Sequence, residues 1–162
     1  MSGAERPNIY TEEWQRSMDQ GRFGVRGTQV GRQAGCEHVG VSVYELDPGK
    51  TNMPYHAHFG IEEVLVVLRG TPTLRTPEGD RELAEGEVVS FRPGRDGAHQ
   101  LVNRGEATAR YLMLSSKAMA DVIEYPDSEK VSAQGGEWGT PDAIGHMLPI
   151  ASEMGYFEGE DA

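Results

Sequence analysis

Cysteine is nearly missing from this chain, since Cys36 is the only one among 162 residues. A single thiol cannot form an internal disulfide, and it cannot build a metal site from several thiolates. The disulfide framework typical of small secreted proteins is therefore excluded. We expect a protein of the cytoplasm.

Long hydrophobic runs and an excess of basic residues are missing as well. No segment approaches the roughly 18 consecutive apolar residues of a membrane-spanning helix, and the N-terminal MSGAERPNIYTEEW has no apolar signal region. Fifteen basic residues stand against 26 acidic ones, for a formal net charge of −11. Because an acidic surface repels phosphate backbones and anionic lipids, we expect neither nucleic acid nor membrane as a partner.

The length and the distribution of apolar residues predict one domain across residues 1–162. A chain of 17.7 kDa can form a single core, and the patterned core lies at about 37–115, between polar extensions at 1–22 and 126–162. A short helix is predicted at Thr11–Met18. Both extensions are otherwise predicted to be irregular, the second because of its glycines and Pro141.

Short segments with strand patterns fill the core. Alternating apolar and polar residues predict strands at 23–32 and 37–46, the second followed by the turn Asp47-Pro48-Gly49-Lys50. Further strands are predicted at 53–58, 63–69, 71–76, 81–83, 88–92, 99–103, 108–115 and 122–125. Many short strands with almost no helix predict an all-β sandwich or closed barrel.

Two histidines stand two residues apart in Tyr55-His56-Ala57-His58. Because side chains alternate between faces in an extended chain, both imidazole rings project to the same side. Imidazole binds Zn, Mn, Fe, Ni and Cu, so the pair forms half of a chelating site. Taken alone, the pair favours two solvated surface histidines over a metal site.

Glu63 opens an apolar strand in phase with Leu65 and Val67. Its carboxylate is therefore predicted to point the same way as two core residues. A buried carboxylate needs a partner, and a metal cation is a suitable one. The competing interpretation places Glu62 and Glu63 in an ordinary acidic loop.

These residues carry a resemblance to the cupin superfamily. Its first motif is a glycine, His-x-His, four residues, a glutamate, six residues and a glycine, and the segment from Gly49 to Gly70 is similar to it, with six residues instead of five before His56. The second motif is a glycine, a Pro-x-Gly turn, a histidine and an asparagine four residues later. The segment from Gly86 to Asn103 resembles it, with one extra residue before the proline and the last glycine two residues before His99 instead of three.

The resemblance covers about residues 40–115 and implies a double-stranded β-helix, or jelly-roll, barrel of six to eight strands. It implies one divalent transition metal bound by His56, His58, Glu63 and His99. Such a set fills four of six octahedral positions and leaves two open. Metals of the family include Fe, Mn, Ni, Zn, Cu and Co, and this ligand set does not select one of them.

A metal with two open positions implies an enzyme that acts on a small oxygen-chelating substrate. Cupins with these ligands include dioxygenases, decarboxylases, lyases and isomerases; we rank a dioxygenase or other oxidoreductase first and a lyase or decarboxylase next. The alternative is a non-catalytic module that binds or senses a small ligand, because a fold does not fix a function. No catalytic residue is identified. The residues predicted to line the pocket are Tyr44, Phe59, Leu65, Val67 and Leu101.

Finally, the two extensions contain aromatic residues although their apolar content is low. Aromatic side chains are enriched in the cores of protein interfaces. We therefore expect a homodimer formed partly by the extensions. The aromatic residues concerned are Trp14, Tyr125, Trp138, Tyr156 and Phe157.

Overall fold

The structure, a computed structural model, describes residues 6–136 and 140–159. Strands dominate these residues. Their bounds are β1 Arg16–Gln20, β2 Phe23–Thr28, β3 Val39–Leu46, β4 Ala57–His58, β5 Glu63–Arg69, β6 Thr73–Thr76, β7 Gly79–Glu82, β8 Val88–Phe91, β9 Gln100–Val102, β10 Ala109–Ser116, β11 Ala120–Tyr125, β12 Lys130–Gly135 and β13 Ile144–Pro149. One helical turn, α1, spans Val30–Gln33. Within this described part, no helix has the length and apolar character needed to cross a membrane.

The strands form two layers of antiparallel pairs. The first layer is a six-stranded sheet in the order β1-β2-β3-β10-β5-β8. The second contains the sheets β13-β12-β11-β4 and β7-β6-β9. The bridge from His56 to His99 joins these two sheets, and Thr51 bridges Val102 of β9 as well as Phe23 of β2. The arrangement confirms the predicted all-β double-stranded β-helix.

The hydrophobic core lies between the two layers. Strands β3, β5, β8 and β10 supply side chains from the first layer, and β6 and β9 supply them from the second. Because every second residue of a strand faces inward, the core residues follow the alternation seen in the sequence. The cluster consists of Leu46, Leu65, Val67, Leu74, Leu83, Phe91, Leu101 and Tyr111.

The N-terminal extension differs from its prediction. The helix predicted at Thr11–Met18 is wrong, because Arg16–Gln20 forms β1 and pairs with β2. The reason is the turn between the two strands, where Gly21 has φ of 59°. A glycine adopts this left-handed conformation without steric cost, so the chain folds back as a hairpin.

The C-terminal extension is also more regular than predicted. β12 pairs with β11 on one side and with β13 on the other, so the prediction of an irregular segment is wrong. A turn at Pro126–Ser128, followed by Glu129 with φ of 49°, reverses the chain between β11 and β12. Gly136, with φ of 78°, ends β12 rather than preventing it. Trp138 lies outside the described residues.

A buried charge network lies on the face of the six-stranded sheet that points away from the core. Glu45 in β3 is 3% exposed and Arg110 in β10 is 2% exposed. The Glu45 carboxylate accepts hydrogen bonds from Arg110 Nε at 2.9 Å, Arg26 Nη2 at 2.7 Å and Arg69 Nη2 at 3.0 Å. Its negative charge is thus met by three guanidinium groups.

The N-terminal extension covers this network. Arg110 donates to the backbone oxygen of Ile9 at 3.1 Å and to Glu12 at 2.9 Å. The guanidinium groups of Arg110 and Arg26 lie 5.3 and 5.6 Å from the ring centre of Trp14. Trp14, predicted as an interface residue, therefore packs within its own chain.

We predict that Glu45→Ala destabilises the protein by about 3–5 kcal/mol, because it leaves Arg110 buried without its main counter-charge. Urea unfolding followed by circular dichroism measures the change. Asp80→Ala is the control: it breaks the exposed pair of Asp80 with Arg104 and should cost less than about 1 kcal/mol. Equal losses in the two variants would contradict the role given to the network.

Candidate metal centre

Four side chains of the ligand type meet between the two layers. His58 belongs to β4 and His56 precedes that strand, while His99 directly precedes β9. The backbones of His56 and His99 exchange two hydrogen bonds, of 3.2 and 2.9 Å. Glu63 begins β5 in the opposite layer. Strand pairing thus brings together residues that are up to 43 positions apart.

The His56 and His99 rings are held by backbone carbonyls. His56 Nδ1 lies 2.8 Å from the oxygen of Pro54, and His99 Nδ1 lies 3.0 Å from the oxygen of Gly97. A carbonyl oxygen can only accept a hydrogen bond, so each Nδ1 carries the proton. In the neutral ring, Nε2 then keeps its lone pair for another partner.

The His58 ring is held by a side chain that sequence reasoning missed. Its Nδ1 lies 2.6 Å from Asp121 Oδ2. Asp121 lies in β11. This strand pairs with β4, which is more than 60 residues earlier in the sequence. No local signal marks an aspartate of this kind, because its role depends entirely on which strands pair.

Glu63 faces the three rings with an oxygen that has no hydrogen-bond partner. Its Oε2 is buried and unpaired, with His99 Nε2 at 3.3 Å and His58 Nε2 at 3.4 Å. Charge-assisted hydrogen bonds are shorter, about 2.7–2.9 Å. Because Nδ1 holds the proton in the neutral rings, lone pairs of nitrogen and oxygen face each other here. This donor set fits a cation.

The protonation states agree with this description. Burial, together with the neighbouring His99 and His58, lowers the pKa of His56 to about 4, so this ring is neutral at pH 7. Burial alone would raise the pKa of Glu63; the adjacent imidazoles outweigh this effect only when they are protonated, and in that form they lower the pKa below its usual value. His56, His58 and Glu63 each offer a ligand atom within 4.8 Å of the others.

The predicted pocket residues occupy different environments. Leu65, Val67 and Leu101 are at most 1% exposed and pack in the hydrophobic cluster, so their role in a pocket wall stays a prediction. Tyr44 stacks on Tyr111 with ring centres 5.4 Å apart. Phe59 is 45% exposed beside His58.

Two further aromatic rings flank the histidines. Tyr125 stacks on His56 with ring centres 6.1 Å apart, and burial raises the pKa of its phenol. Tyr125 was predicted to lie in an interface, yet its ring contacts the site. Phe91 stacks on His99 at 3.8 Å and also lines a separate cavity of about 380 Å³ between β6, β7 and β8.

The chain matches a known domain family across the segment that contains this site. Residues 42–115 match the family described as the cupin domain. This segment is a cupin domain. Among curated proteins, none matches its sequence.

Solved structures extend the likeness beyond the matched segment. A protein of Silicibacter pomeroyi, named as a sugar phosphate isomerase from a cupin superfamily, superposes with a TM-score of 0.76 at 20% identity, over 94% of this chain and 98% of its own. A candidate sugar phosphate isomerase of Acidithiobacillus ferrooxidans gives a TM-score of 0.72 at 26% identity, over 81% of this chain and 80% of its own. A polyketide cyclase of Streptomyces resistomycificus superposes with a TM-score of 0.54 at 20% identity, over 72% of this chain and 79% of its own.

We predict that Glu63→Gln has opposite effects on the metal-free and the metal-bound protein. The glutamine amide can donate a hydrogen bond to an imidazole lone pair, so thermal unfolding after chelator treatment should show a gain of about 1 kcal/mol. Metal binding should weaken, because the anionic ligand is lost. Glu62→Gln, at the exposed neighbouring position, is the control. It should change neither the stability of the metal-free protein nor its metal binding. Destabilisation of the metal-free Glu63→Gln protein would contradict the arrangement of lone pairs.

Proposed function

We propose that this cupin binds one divalent transition metal with His56, His58, Glu63 and His99 and acts as an enzyme on a small molecule. The observation that carries the proposal is the buried, unpaired oxygen of Glu63 facing imidazole nitrogens. A buried anion without a partner is costly, and a cation among these donors offsets that cost.

The donor set favours oxidoreductase chemistry of the dioxygenase type. Non-haem iron oxygenases bind their metal with imidazole and carboxylate ligands and keep positions open. The proposed set contains the group His56, His58 and Glu63 and, with His99 added, leaves two of six positions open. When bound, a divalent ion polarises oxygen donors of the substrate and, if it is iron, supplies redox chemistry with dioxygen. A lyase or decarboxylase is the next class.

The chain's own side chains orient the site and limit its access. Tyr125 and Phe91 stack on His56 and His99, so these two rings cannot turn freely. His99 is 1% exposed, whereas the side chain of His58 is 14% exposed. We propose that a compact substrate with one or two oxygen donors approaches from the His58 side.

An isomerase is the second candidate. It is supported by the likeness to the Acidithiobacillus ferrooxidans protein, at 26% identity over 81% of this chain. Isomerisation of a sugar phosphate needs groups that move protons between neighbouring carbons. Tyr125 is the proton donor that we propose for that case: its phenol carries a proton at neutral pH, and burial raises its pKa further above the usual value.

We predict one metal ion per chain in protein purified without chelators, as measured by elemental analysis. His58→Ala should lose most of the metal, because it removes one of four ligands. His146→Ala is the control, since this exposed histidine of β13 lies outside the site and should keep full occupancy. Full occupancy in His58→Ala would contradict the ligand assignment.

Turnover assays separate the candidate functions. Iron-loaded protein should consume oxygen in the presence of 1,3-diketones, thiols or phenols if it is a dioxygenase. Conversion of a sugar phosphate without oxygen uptake would favour the isomerase instead. Binding of small oxygen donors to cobalt-substituted protein, with neither reaction, would favour the sensing module.

We also propose a homodimer formed through the C-terminal hairpin. β13 is the edge strand of its sheet, and all six of its residues are exposed. Beyond it, Tyr156 is 90% and Phe157 is 78% exposed. Exposed apolar edge strands favour association, because they offer unpaired backbone groups and apolar area.

We predict a mass of about twice 17.7 kDa in sedimentation at micromolar concentration. Leu148→Lys in β13 should shift the protein toward monomer, because it places a charge in the proposed interface. Val88→Lys changes an exposed residue of β8 and should leave the mass unchanged. A monomeric wild-type protein would contradict the proposal.

A further inference from the structure

We infer that Asp121 is a positioning residue that fixes the tautomer of His58 and thereby the metal affinity of the site. The inference rests on the proposed metal site, but its first readout uses metal-free protein. Asp121 lies outside both cupin motifs, on β11, and only the pairing of β11 with β4 brings it to His58.

Both carboxylate oxygens of Asp121 have defined partners. Oδ2 accepts the hydrogen bond from His58 Nδ1 at 2.6 Å. Oδ1 accepts hydrogen bonds from the backbone N–H groups of Phe59 at 3.2 Å and Gly60 at 2.7 Å. The side chain is only 11% exposed, so water does not readily replace these partners.

The backbone holds the two amide donors against Asp121. A Cβ atom at Gly60 would lie 2.5 Å from the backbone oxygen of Ala120 and 3.1 Å from Cα of Asp121. Such distances exclude a side chain, so glycine is what allows the loop after His58 to lie directly on β11. The orientation of the carboxylate is therefore set by the backbone as well as by the imidazole.

These partners determine the tautomer of the ring. A carboxylate can accept with both oxygens, so His58 donates from Nδ1 and its Nε2 points toward Glu63 Oε2, 3.4 Å away, with a free lone pair. Only a deprotonated Nε2 can bind a metal. Hydrogen-bond partners on the far side of a histidine are a general means of setting this state.

Asparagine at position 121 should reverse the tautomer. The amide of Phe59 also donates to the backbone oxygen of Val122 at 2.9 Å, but the amide of Gly60 has its acceptor in residue 121, at 2.7 Å, and requires an oxygen there. The asparagine NH2 group must therefore face His58. Two donors cannot share a hydrogen bond, and the imidazole proton therefore moves to Nε2. There it can donate to Glu63, which satisfies the unpaired oxygen of the metal-free site and blocks the lone pair that a metal needs.

Long-range proton–nitrogen correlation spectra of the full chain, treated with chelator, test this directly. We expect Nδ1–H for His58 in the wild type and Nε2–H in Asp121→Asn, with His58→Ala identifying the resonances. Asp127→Asn, which changes an aspartate paired with Arg75 in the same segment, should leave the tautomer unchanged. Nε2–H in the wild type, or Nδ1–H in Asp121→Asn, would overturn the inference.

Zinc titration gives the second readout. Asp121→Asn should weaken zinc binding about 10- to 100-fold, while its metal-free melting temperature equals or exceeds that of the wild type. Parallel loss of zinc affinity and metal-free stability, with an unchanged tautomer, would mean a merely structural role and overturn the inference. If Asp121→Asn does not fold, the tautomer of His58 in the wild type still tests the inference, because Nε2–H there overturns it.

The two readouts also separate this inference from the proposed function. A tautomer that switches as expected, in a protein whose wild type binds no zinc or other divalent metal, would support the role of Asp121 and refute the metal site. Zinc binding of wild-type strength in Asp121→Asn would support the metal site and refute the role of Asp121.

Discussion

The oxygen of Glu63 that has no hydrogen bond is the constraint on which the centre of this barrel depends. Each of the surrounding rings uses Nδ1 for a hydrogen bond of its own, to Pro54, Gly97 or Asp121. In their neutral form the rings consequently present lone pairs toward the carboxylate. A cation is the one partner that satisfies all of these donors at once.

The barrel makes this arrangement possible because it pairs distant strands. The bridge between His56 and His99 joins the two cupin motifs, and β11 contributes Asp121 behind His58. Aromatic rings then hold the imidazoles, with Phe91 on His99 and Tyr125 on His56. Ligand orientation thus depends on strands of both layers, not on β4 alone.

The sequence predicted those parts of the structure that depend on local spacing. The strand from Glu63 to Arg69 has the predicted bounds. His56, His58 and Glu63 place their ligand atoms within 4.8 Å of one another, and the complete ligand set with His99 stays a prediction. The strand predicted at 53–58 is reduced to Ala57–His58, since Pro54 has no N–H with which to continue a ladder.

Features that depend on tertiary pairing escaped sequence reasoning. Asp121 has no motif of its own, and Tyr125 looked like an interface residue because nothing local places it beside His56. In the C-terminal extension, the glycines and Pro141 predict irregular structure. The hairpin of β12 and β13 forms nonetheless, because a strand at the edge of a sheet gains its backbone hydrogen bonds from its neighbour.

Two buried carboxylates on opposite faces of the same sheet make the case for a cation sharper. Glu45, on the outer face, is met by three arginines and is 3% exposed. Glu63, on the inner face, is 12% exposed, and its Oε2 has neither a guanidinium nor a hydrogen bond. Both anions lose hydration on folding, so both need compensation of similar size. For Glu45 the chain supplies that compensation from its own side chains. For Glu63 it supplies neutral imidazoles, which compensate a carboxylate only when a positive ion lies between them.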